Sequence, residues 1–311
     1  MNPSLNRGRD STFGRFGQLV LLILLAFALA ANARPQGAST PSAPPKVFLL
    51  VHQEFQPGAA QQREALEKSL CVTVRRLHPP ITWIETEAVT DDAGALYLDP
   101  FDSFESLDKA GVLLAELYGK NPELAPTQQK IDTLIAKSHT TIALRRDDLG
   151  YRASTIDLSK APYFWIFVAR IRPGHEAEFA EADRLTAAAS EASHGALPWV
   201  VYQVHSGMLA PSFITIIPMA SLKEVDDALA DGPEMAKARG PASLERLHQL
   251  SRNAYESYEA NLYAITPSMS HVTPEFAAGD PAFCNPAPAG SESPKQPAPR
   301  RPAKTPPAPR E

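Results

Sequence analysis

The sequence predicts an α+β fold made of two consecutive copies of one β-α-β-β-α-β unit. The first observation is an internal repeat, because the segment from Phe48, "FLLVHQEFQPGAAQQREALEKSL", aligns with the segment from Phe164, "FWIFVARIRPGHEAEFAEADRLT", at an offset of 116 residues. The second is the order of predicted elements, since each copy reads strand, helix, strand, strand, helix, longer helix and short strand. The third is composition: 44% hydrophobic residues suffice for a core, and the 30 prolines cluster at the two ends.

The repeat extends well beyond this first block. At the same offset, "TWIETEAV" aligns with "PWVVYQVH", so that Trp83 corresponds to Trp199. After a two-residue insertion, "ALYLDPFDSFESLDKA" (95–110) matches "FITIIPMASLKEVDDA" (213–228). Two further blocks follow in the same order, and chance is a poor explanation for five ordered matches.

Each copy begins with an apolar strand that ends at a Pro-Gly turn before a helix. In the first copy Leu66, Leu70 and Val74 recur at i, i+4 and i+8, which predicts one apolar helix stripe. In the second copy Glu176 and Glu178 complement the positive end of the helix dipole. A hairpin and a second helix follow in both copies, and an extra helix is expected at about 126–147 and 241–260.

This order of elements corresponds to a split β-α-β, or ferredoxin-like, sheet. Such a sheet carries helices on one face only and leaves the other face bare. Two copies can cover each other's bare faces, which gives a physical reason for the duplication. We therefore expect the two sheets to pack against each other as one barrel within a single chain.

The apolar strand, the Pro-Gly turn and the acidic helix start resemble a known family. Pro173, Gly174, Glu176, Glu178 and Phe179 carry the match best, and the first copy keeps the Pro-Gly pair without the acidic run. The pattern is similar to that of the dimeric α/β-barrel superfamily, which includes antibiotic-biosynthesis-type monooxygenases, EthD-like and NIPSNAP-like proteins. The resemblance covers nearly all of residues 46–270 and implies an intramolecular pseudo-dimeric barrel. It implies little about chemistry, because the superfamily hosts many activities.

The ends of the chain have the composition of targeting and linker segments. Three arginines, the apolar run Leu19–Ala30 and the sequence Ala31-Asn32-Ala33 form the three parts of a cleavable signal peptide, residues 1–33. The apolar run is shorter than the roughly 20 residues of a membrane-spanning helix, although an uncleaved anchor is the alternative. We expect cleavage after Ala33 and a periplasmic or secreted protein with no membrane span.

Domain boundaries follow from these composition shifts. Residues 34–45 form a Pro/Ser/Ala-rich linker, 46–156 the first repeat, 157–270 the second, and 271–311 a disordered, basic, Pro-rich tail that could contact an anionic cell envelope. The formal net charge is −5, and the basic ends leave a body of about −10, which argues against nucleic-acid binding. Cys71 and Cys284 are either a disulfide, permitted by export, or two independent thiols.

Strand alternation divides the side chains between two faces of each sheet. On the first strands it directs His52 and Glu54, and Arg170 in the second copy, towards the barrel interior. On the later strands the apolar residues are assigned to the helix side, which directs their polar and aromatic neighbours inward. These inward residues are Trp83, Glu85, Glu87, Tyr97 and Asp99 in the first copy, and Trp199, Gln203 and His205 in the second.

The predicted interior is aromatic with a few titratable groups, as is typical of a small-molecule pocket. His52, Arg170 and His205 are the candidate catalytic residues, because such groups can orient or deprotonate a substrate. The candidate ligand-binding residues are Glu54, Trp83, Glu85, Glu87, Tyr97, Trp199 and Gln203. The alternative is that side chains fill the barrel and the polar groups pair at strand ends.

The function that these observations favour is monooxygenase-like chemistry on an aromatic or apolar substrate. The alternative is a non-catalytic ligand-binding or envelope-associated scaffold protein. No paired-ligand spacing such as HxxxH is present, so no metal site is expected. The sequence identifies neither the substrate nor a cofactor.

Overall fold

The computed structural model describes residues 43–90, 94–193 and 197–279 of the 311-residue chain. The expected signal peptide, most of the linker, Cys284 and residues 280–311 lie outside the described residues. Within these ranges, no helix has the length and apolar character needed to cross a membrane.

The two copies contain the same elements in the same order. The first copy comprises β1 (Val47–Phe55), α1 (Ala60–Leu77), β2 (Ile84–Ala88), β3 (Gly94–Phe101), α2 (Phe104–Lys120), α3 (Ala125–Leu134) and β4 (Ile135–Arg145). The second comprises β5 (Tyr163–Ile171), α4 (Glu176–Ser193), β6 (Val200–Ser206), β7 (Ser212–Met219), α5 (Lys223–Ala230), α6 (Gly232–Ala254) and β8 (Tyr255–Ile265). A short helix, α7 (Pro274–Ala277), follows.

The eight strands form one closed antiparallel barrel in the order β1-β3-β2-β8-β5-β7-β6-β4. Strand register confirms the internal repeat, because Val51 pairs with Tyr97 in the first copy and Phe167 with Thr215 in the second. The α+β class, the tandem ferredoxin-like repeats and the pseudo-dimeric barrel predicted from the sequence are therefore confirmed.

The last strand of each copy pairs across to the other copy. β4 lies beside β6, with Leu144 opposite Gln203, and β8 lies beside β2, with Glu87 opposite Ala264. The segments that follow these strands also cross, because Tyr151 forms a bridge with Trp199 and His271 forms one with Trp83. Each half of the barrel is thus completed by the other half.

Apolar side chains fill the barrel interior. Phe48, Phe164, Tyr202 and Ile216 are almost fully buried members of one cluster to which strands of both copies contribute. Phe276 of α7 belongs to the same cluster, so that residues 271–279, assigned to a disordered tail from the sequence, pack against the barrel. Burial of this apolar surface is the main contribution to stability.

The extra helices are shorter than the sequence predicts. The stretch 135–145, expected to continue a helix to about 147, is the strand β4, and residues 255–265 are the strand β8 rather than the end of a helix. β-Branched Thr140, Thr141 and Ile142 favour an extended chain, and pairing with β1 and β6 supplies their backbone hydrogen bonds. Tertiary pairing therefore overrides the helical pattern.

Candidate active-site cavity

Three predicted site residues lie at one end of the barrel, where the strands extend beyond the core. His52 and Glu54 share the inner face of β1 with buried Phe48 and Leu50, as predicted. Glu54 forms an ion pair with Lys137 at 2.7 Å, and Arg170 lies 3.1 Å from Glu256. These contacts are partly exposed, and none of the three predicted residues lines either of the two cavities described below.

The predicted facing of the second and third strands is wrong. Ile84, Val200 and Val204 belong to the interior cluster, so their neighbours Trp83, Glu85, Glu87, Trp199, Gln203 and His205 share the opposite, helix-facing side. Tyr97 and Asp99 also face the helices. The reason is that the barrel interior is the more apolar side, while charged groups on the helix side find partners there. Because side chains alternate along a strand, assigning one residue to the wrong face assigns every side chain of that strand to the wrong face.

The residues of the second copy do not gather into one polar site. Gln203 accepts a hydrogen bond from Arg146 at 2.9 Å, and His205 is exposed with its ring 5.3 Å from that of Phe104. Trp199 donates to Asp183 at 2.9 Å beneath α4. Among the predicted ligand-binding residues, Trp83 and Tyr97 of the first copy line a common cavity.

The first cavity lies between the outer face of the first sheet and its helices, and has a volume of about 240 Å³. Trp83, Tyr97 and Asp99 line it from the strands, and Glu67 and Cys71 from α1. The rest of the lining is mostly apolar, from Val51, Leu70, Val74, Leu114, Leu117, Ile131 and Met269, with Gln53, Tyr118 and Gln128 as further polar residues. An apolar cavity with a few polar groups is the usual form of a small-molecule site.

A buried ionic network borders this cavity. Arg63 of α1 contacts Glu67 at 3.2 Å, Glu85 at 3.1 Å and Glu87 at 2.7 Å. Tyr97 donates a hydrogen bond of 2.7 Å to Glu67, which connects the network to the cavity wall. Arg63 and Glu67, which sequence reasoning missed, therefore hold together three of the residues that it selected.

The network holds more negative than positive charge. One guanidinium faces three carboxylates, and the Glu85 side chain is fully buried, with no hydrogen-bond partner for Oε2 within the described part of the chain. Burial, opposed by Arg63, raises the pKa of Glu85 to about 8 and also raises the pKa of Glu67. Glu85 is thus largely protonated at pH 7, which reduces the charge in the cluster.

Asp99 contributes a carboxyl group to the cavity wall. Its Oδ1 is buried and has no hydrogen-bond partner among the described residues, and no cation neutralises the carboxylate. Desolvation alone raises the pKa of Asp99 to about 7. The carboxyl group can therefore release or accept a proton near neutral pH.

The segment after β8 closes the cavity. Trp83 donates from Nε1 to the carbonyl oxygen of Met269 at 2.9 Å, and Arg75 donates to the carbonyl oxygens of Pro267 and Ser270. The thiol of Cys71 donates to the same Met269 carbonyl, and burial raises its pKa to about 12. Cys71 therefore stays protonated and is not a nucleophile.

A second cavity of about 280 Å³ occupies the equivalent place in the second copy. Its strand wall is more aromatic than that of the first cavity, with Ile217 at the position of Asp99 and Thr215 at that of Tyr97. Asp183 lines it, but its two oxygens accept from the Gly150 backbone N–H at 2.7 Å and from Trp199 at 2.9 Å. Asp231 lines the cavity as well, but neither aspartate stands at the strand position of Asp99, which Ile217 occupies.

Neither cavity presents a ready site for a metal ion. Over residues 43–90, 94–193 and 197–279, no three His, Cys, Asp or Glu side chains are placed to hold one. No histidine lines either cavity, and the Cys71 thiol stays protonated, so neither residue type offers an axial ligand for haem there.

Known proteins resemble the chain in fold only. No protein-family model matches it, and no curated protein sequence does. Among solved structures, a candidate monooxygenase of Lactobacillus acidophilus is 7% identical, covering 73% of this chain and 95% of its own, with a TM-score of 0.45. An anthrone oxidase-like protein is 14% identical, covering 70% and 90%, with a TM-score of 0.46. A mutant chlorite dismutase of Candidatus Nitrospira defluvii is 11% identical, covering 72% and 92%, with a TM-score of 0.42.

The strand order of the barrel gives the fold independently of these similarities. The chain has the dimeric α/β-barrel fold, with both halves in one polypeptide. Sequence identities of 7–14% indicate nothing about shared chemistry.

Proposed function

We propose that the first cavity is an active site in which Asp99 removes a proton from a small aromatic or apolar substrate. The observation that carries this proposal is the buried Oδ1 of Asp99, which has no hydrogen-bond partner among the described residues and lies in the wall of a largely apolar cavity. Burying an ionised carboxylate without a partner costs free energy. A role in acting on a ligand would explain why such a group is kept there. A pKa of about 7 suits a general base at neutral pH, because both protonation states are populated.

The reaction proposed is monooxygenase-like. A substrate with a CH₂ group activated by flanking rings loses a proton to Asp99, and the carbanion transfers electrons to O₂. One oxygen atom forms the product ketone and the other leaves as water, so that R₂CH₂ and O₂ give R₂CO and H₂O. This balance requires no external reductant. The apolar walls exclude water from the anion and favour its transfer of electrons to O₂.

The candidate catalytic residues His52, Arg170 and His205 take no part in this step. They lie outside the first cavity, and any role for them at the barrel end stays a prediction. Among the predicted ligand-binding residues, Trp83 and Tyr97 line the cavity, whereas Glu85 and Glu87 act through Arg63. The proposed roles are thus binding for the first pair and positioning for the second.

We further propose that the protein acts after export. The basic start, the apolar run Leu19–Ala30 and the small residues before Arg34 support this location. Sequencing the N-terminus of protein recovered from the periplasm tests it, since cleavage is expected after Ala33. Contact of the basic tail with an anionic envelope is a separate expectation.

Anthrone is a suitable probe, because two rings flank its acidic CH₂ group. We expect residues 34–311, purified from the periplasm, to accelerate O₂ consumption by anthrone with one O₂ used per molecule. Asp99→Asn should lower kcat by about 10² to 10⁴, the usual contribution of a general base. Asp108→Asn, an exposed aspartate on α2, is the matched control and should retain the wild-type rate.

A non-catalytic binding protein is the alternative function, and the aromatic second cavity, which has no carboxylate at the strand position of Asp99, favours it. Mass spectrometry of small molecules released from the purified protein separates the two functions. A tightly held compound, with no O₂ consumption in wild type or Asp99→Asn, would contradict the enzymatic proposal. A visible spectrum of the same sample would reveal any bound chromophore.

A further inference from the structure

Arg239 is an unpaired cation at the edge of the second cavity. Its Nη2 lies 3.4 Å from Thr186 Oγ1 and 4.0 Å from Met235 Sδ, and both residues line that cavity. Its Nε is buried and has no hydrogen-bond partner within the described ranges. The guanidinium is therefore only partly satisfied by the protein.

The other arginines of α4 and α6 all have carboxylate partners. Arg184 contacts Asp148 at 2.9 Å, Arg246 contacts Glu181 at 2.7 Å and Arg252 contacts Glu245 at 3.3 Å. No described carboxylate makes such a contact with Arg239, and desolvation lowers its pKa. An unpaired, half-buried cation is unfavourable, and a bound anion would offset that cost.

The strand wall of the same cavity is aromatic. Trp165 and Phe167 lie with their ring centroids 4.8 Å apart, and Tyr258 stacks on Phe167 at 5.7 Å. Tyr258 is 57% exposed although it lines the cavity, which places it at the opening. Such rings offer flat apolar surfaces to a planar ligand.

Helix α6 bends over this cavity. Gly240, with φ of 71°, interrupts the helix directly after Arg239. Because of the bend, Met235 before it and Leu247 after it both reach the cavity. The carboxylate of Asp183 is occupied by Gly150 and Trp199 and does not compete for Arg239.

We propose that the second cavity is a separate binding site for a planar aromatic anion of one or two rings. The rings would lie against Trp165, Phe167 and Tyr258, and the anionic group would pair with Arg239. The volume of about 280 Å³ is at the lower end of the range for ligand pockets and suits a molecule of this size. This inference does not depend on the proposed reaction at Asp99, because it concerns the other copy.

The test compares 2-naphthoate with uncharged 2-naphthalenemethanol by calorimetric titration of the full chain. Wild type should bind the acid at least about ten-fold more tightly than the alcohol, as expected for a charge-assisted hydrogen bond. Arg239→Met should remove this preference and leave affinity for the alcohol unchanged. Arg246→Gln, an exposed arginine on the same helix, should keep the preference.

A blocking variant locates the site. Ala228 of α5 lines the cavity and is only partly buried, so Ala228→Trp fills the space without disturbing the core. It should abolish the Arg239-dependent preference for 2-naphthoate, whereas Asp99→Asn in the first copy should leave that preference unchanged. Equal affinity of wild type for acid and alcohol, or retention of the preference in Arg239→Met, would overturn the proposal. A preference for the acid that survives Ala228→Trp would overturn it as well.

Discussion

Phe179 of the second copy occupies the position that Arg63 occupies in the first. Phe179 stacks on Phe213 at 4.1 Å, whereas Arg63 faces three glutamates. Val201 likewise stands where the first copy has Glu85. The same fold is therefore built twice in one chain, once with an ionic cluster under the first helix and once with an apolar one. The ionic cluster is not a requirement of the fold.

This contrast predicts how substitutions in the network behave. Arg63→Met should lower the free energy of unfolding by about 3–5 kcal/mol, because it leaves buried carboxylates without a counterion. The combined variant Arg63→Phe, Glu67→Leu, Glu85→Val should be within about 1 kcal/mol of wild type or more stable, since apolar replacements of buried ion clusters often are. Urea denaturation at pH 7 measures both. A combined variant as unstable as Arg63→Met would show that apolar side chains cannot replace the ionic cluster in the first copy.

The buried carboxyl of Glu85 predicts a pH dependence of stability. Its pKa is raised from 4.5 to about 8 in the folded protein, so the folded state binds more protons than the unfolded state between these values. The free energy of unfolding should therefore fall as pH rises from about 4.5 to about 8. Glu85→Gln should flatten this fall. Thermal unfolding of both proteins at pH 5, 6.5 and 8 is the measurement, and parallel curves would contradict the assignment.

We expect the ionised carboxylate of Asp99 to lower the free energy of unfolding. Because its pKa is raised to about 7 without any compensating partner, ionisation is unfavourable in the folded protein. Asp99→Asn should stabilise the protein by about 1–3 kcal/mol at pH 8 and by less at pH 5, where the wild-type group is protonated. A variant that loses stability at pH 8 would indicate that the carboxylate has a structural partner.

The crossed strands predict that the first copy cannot fold alone. Without the second copy, β4 lacks β6 and β2 lacks β8, and the apolar inner face is uncovered. Residues 43–160 should therefore be aggregated or dimeric rather than a stable monomer. Size-exclusion chromatography with light scattering checks this result. A soluble, cooperatively unfolding monomer would mean that mutual covering of the sheets does not hold the barrel together.

The sequence predicts the architecture better than the site. The internal repeat and the order of elements are enough to predict the barrel, because they depend on patterns spread over more than 200 residues. The two long terminal strands are missed, since β4 and β8 owe their extended state to partners in the other copy. Local propensity carries no information about such distant pairing.

The cavity is missed for a related reason. The sequence favours Leu66, Leu70 and Val74 as the buried stripe of α1, but its fully buried residues are Arg63, Glu67, Cys71 and Val74. A rule that places charged residues outside fails where they satisfy one another. The i,i+4 spacing of Arg63 and Glu67 is visible in the sequence, but it is equally typical of an exposed pair. Strand alternation directs Asp99 towards the barrel interior, whereas it lies on the helix-facing side of its strand.

The crossing of β8 to β2 also determines when the barrel can close. Thr86 pairs with Ile265, so one side of β2 has no neighbour until nearly the whole folded region has been synthesised. Contacts this distant in sequence form slowly, and an open strand edge can meanwhile pair with other chains. The first cavity is finished equally late, because Met269 and His271 arrive with the same segment. Closure of the barrel and completion of the first cavity therefore depend on the same C-terminal segment.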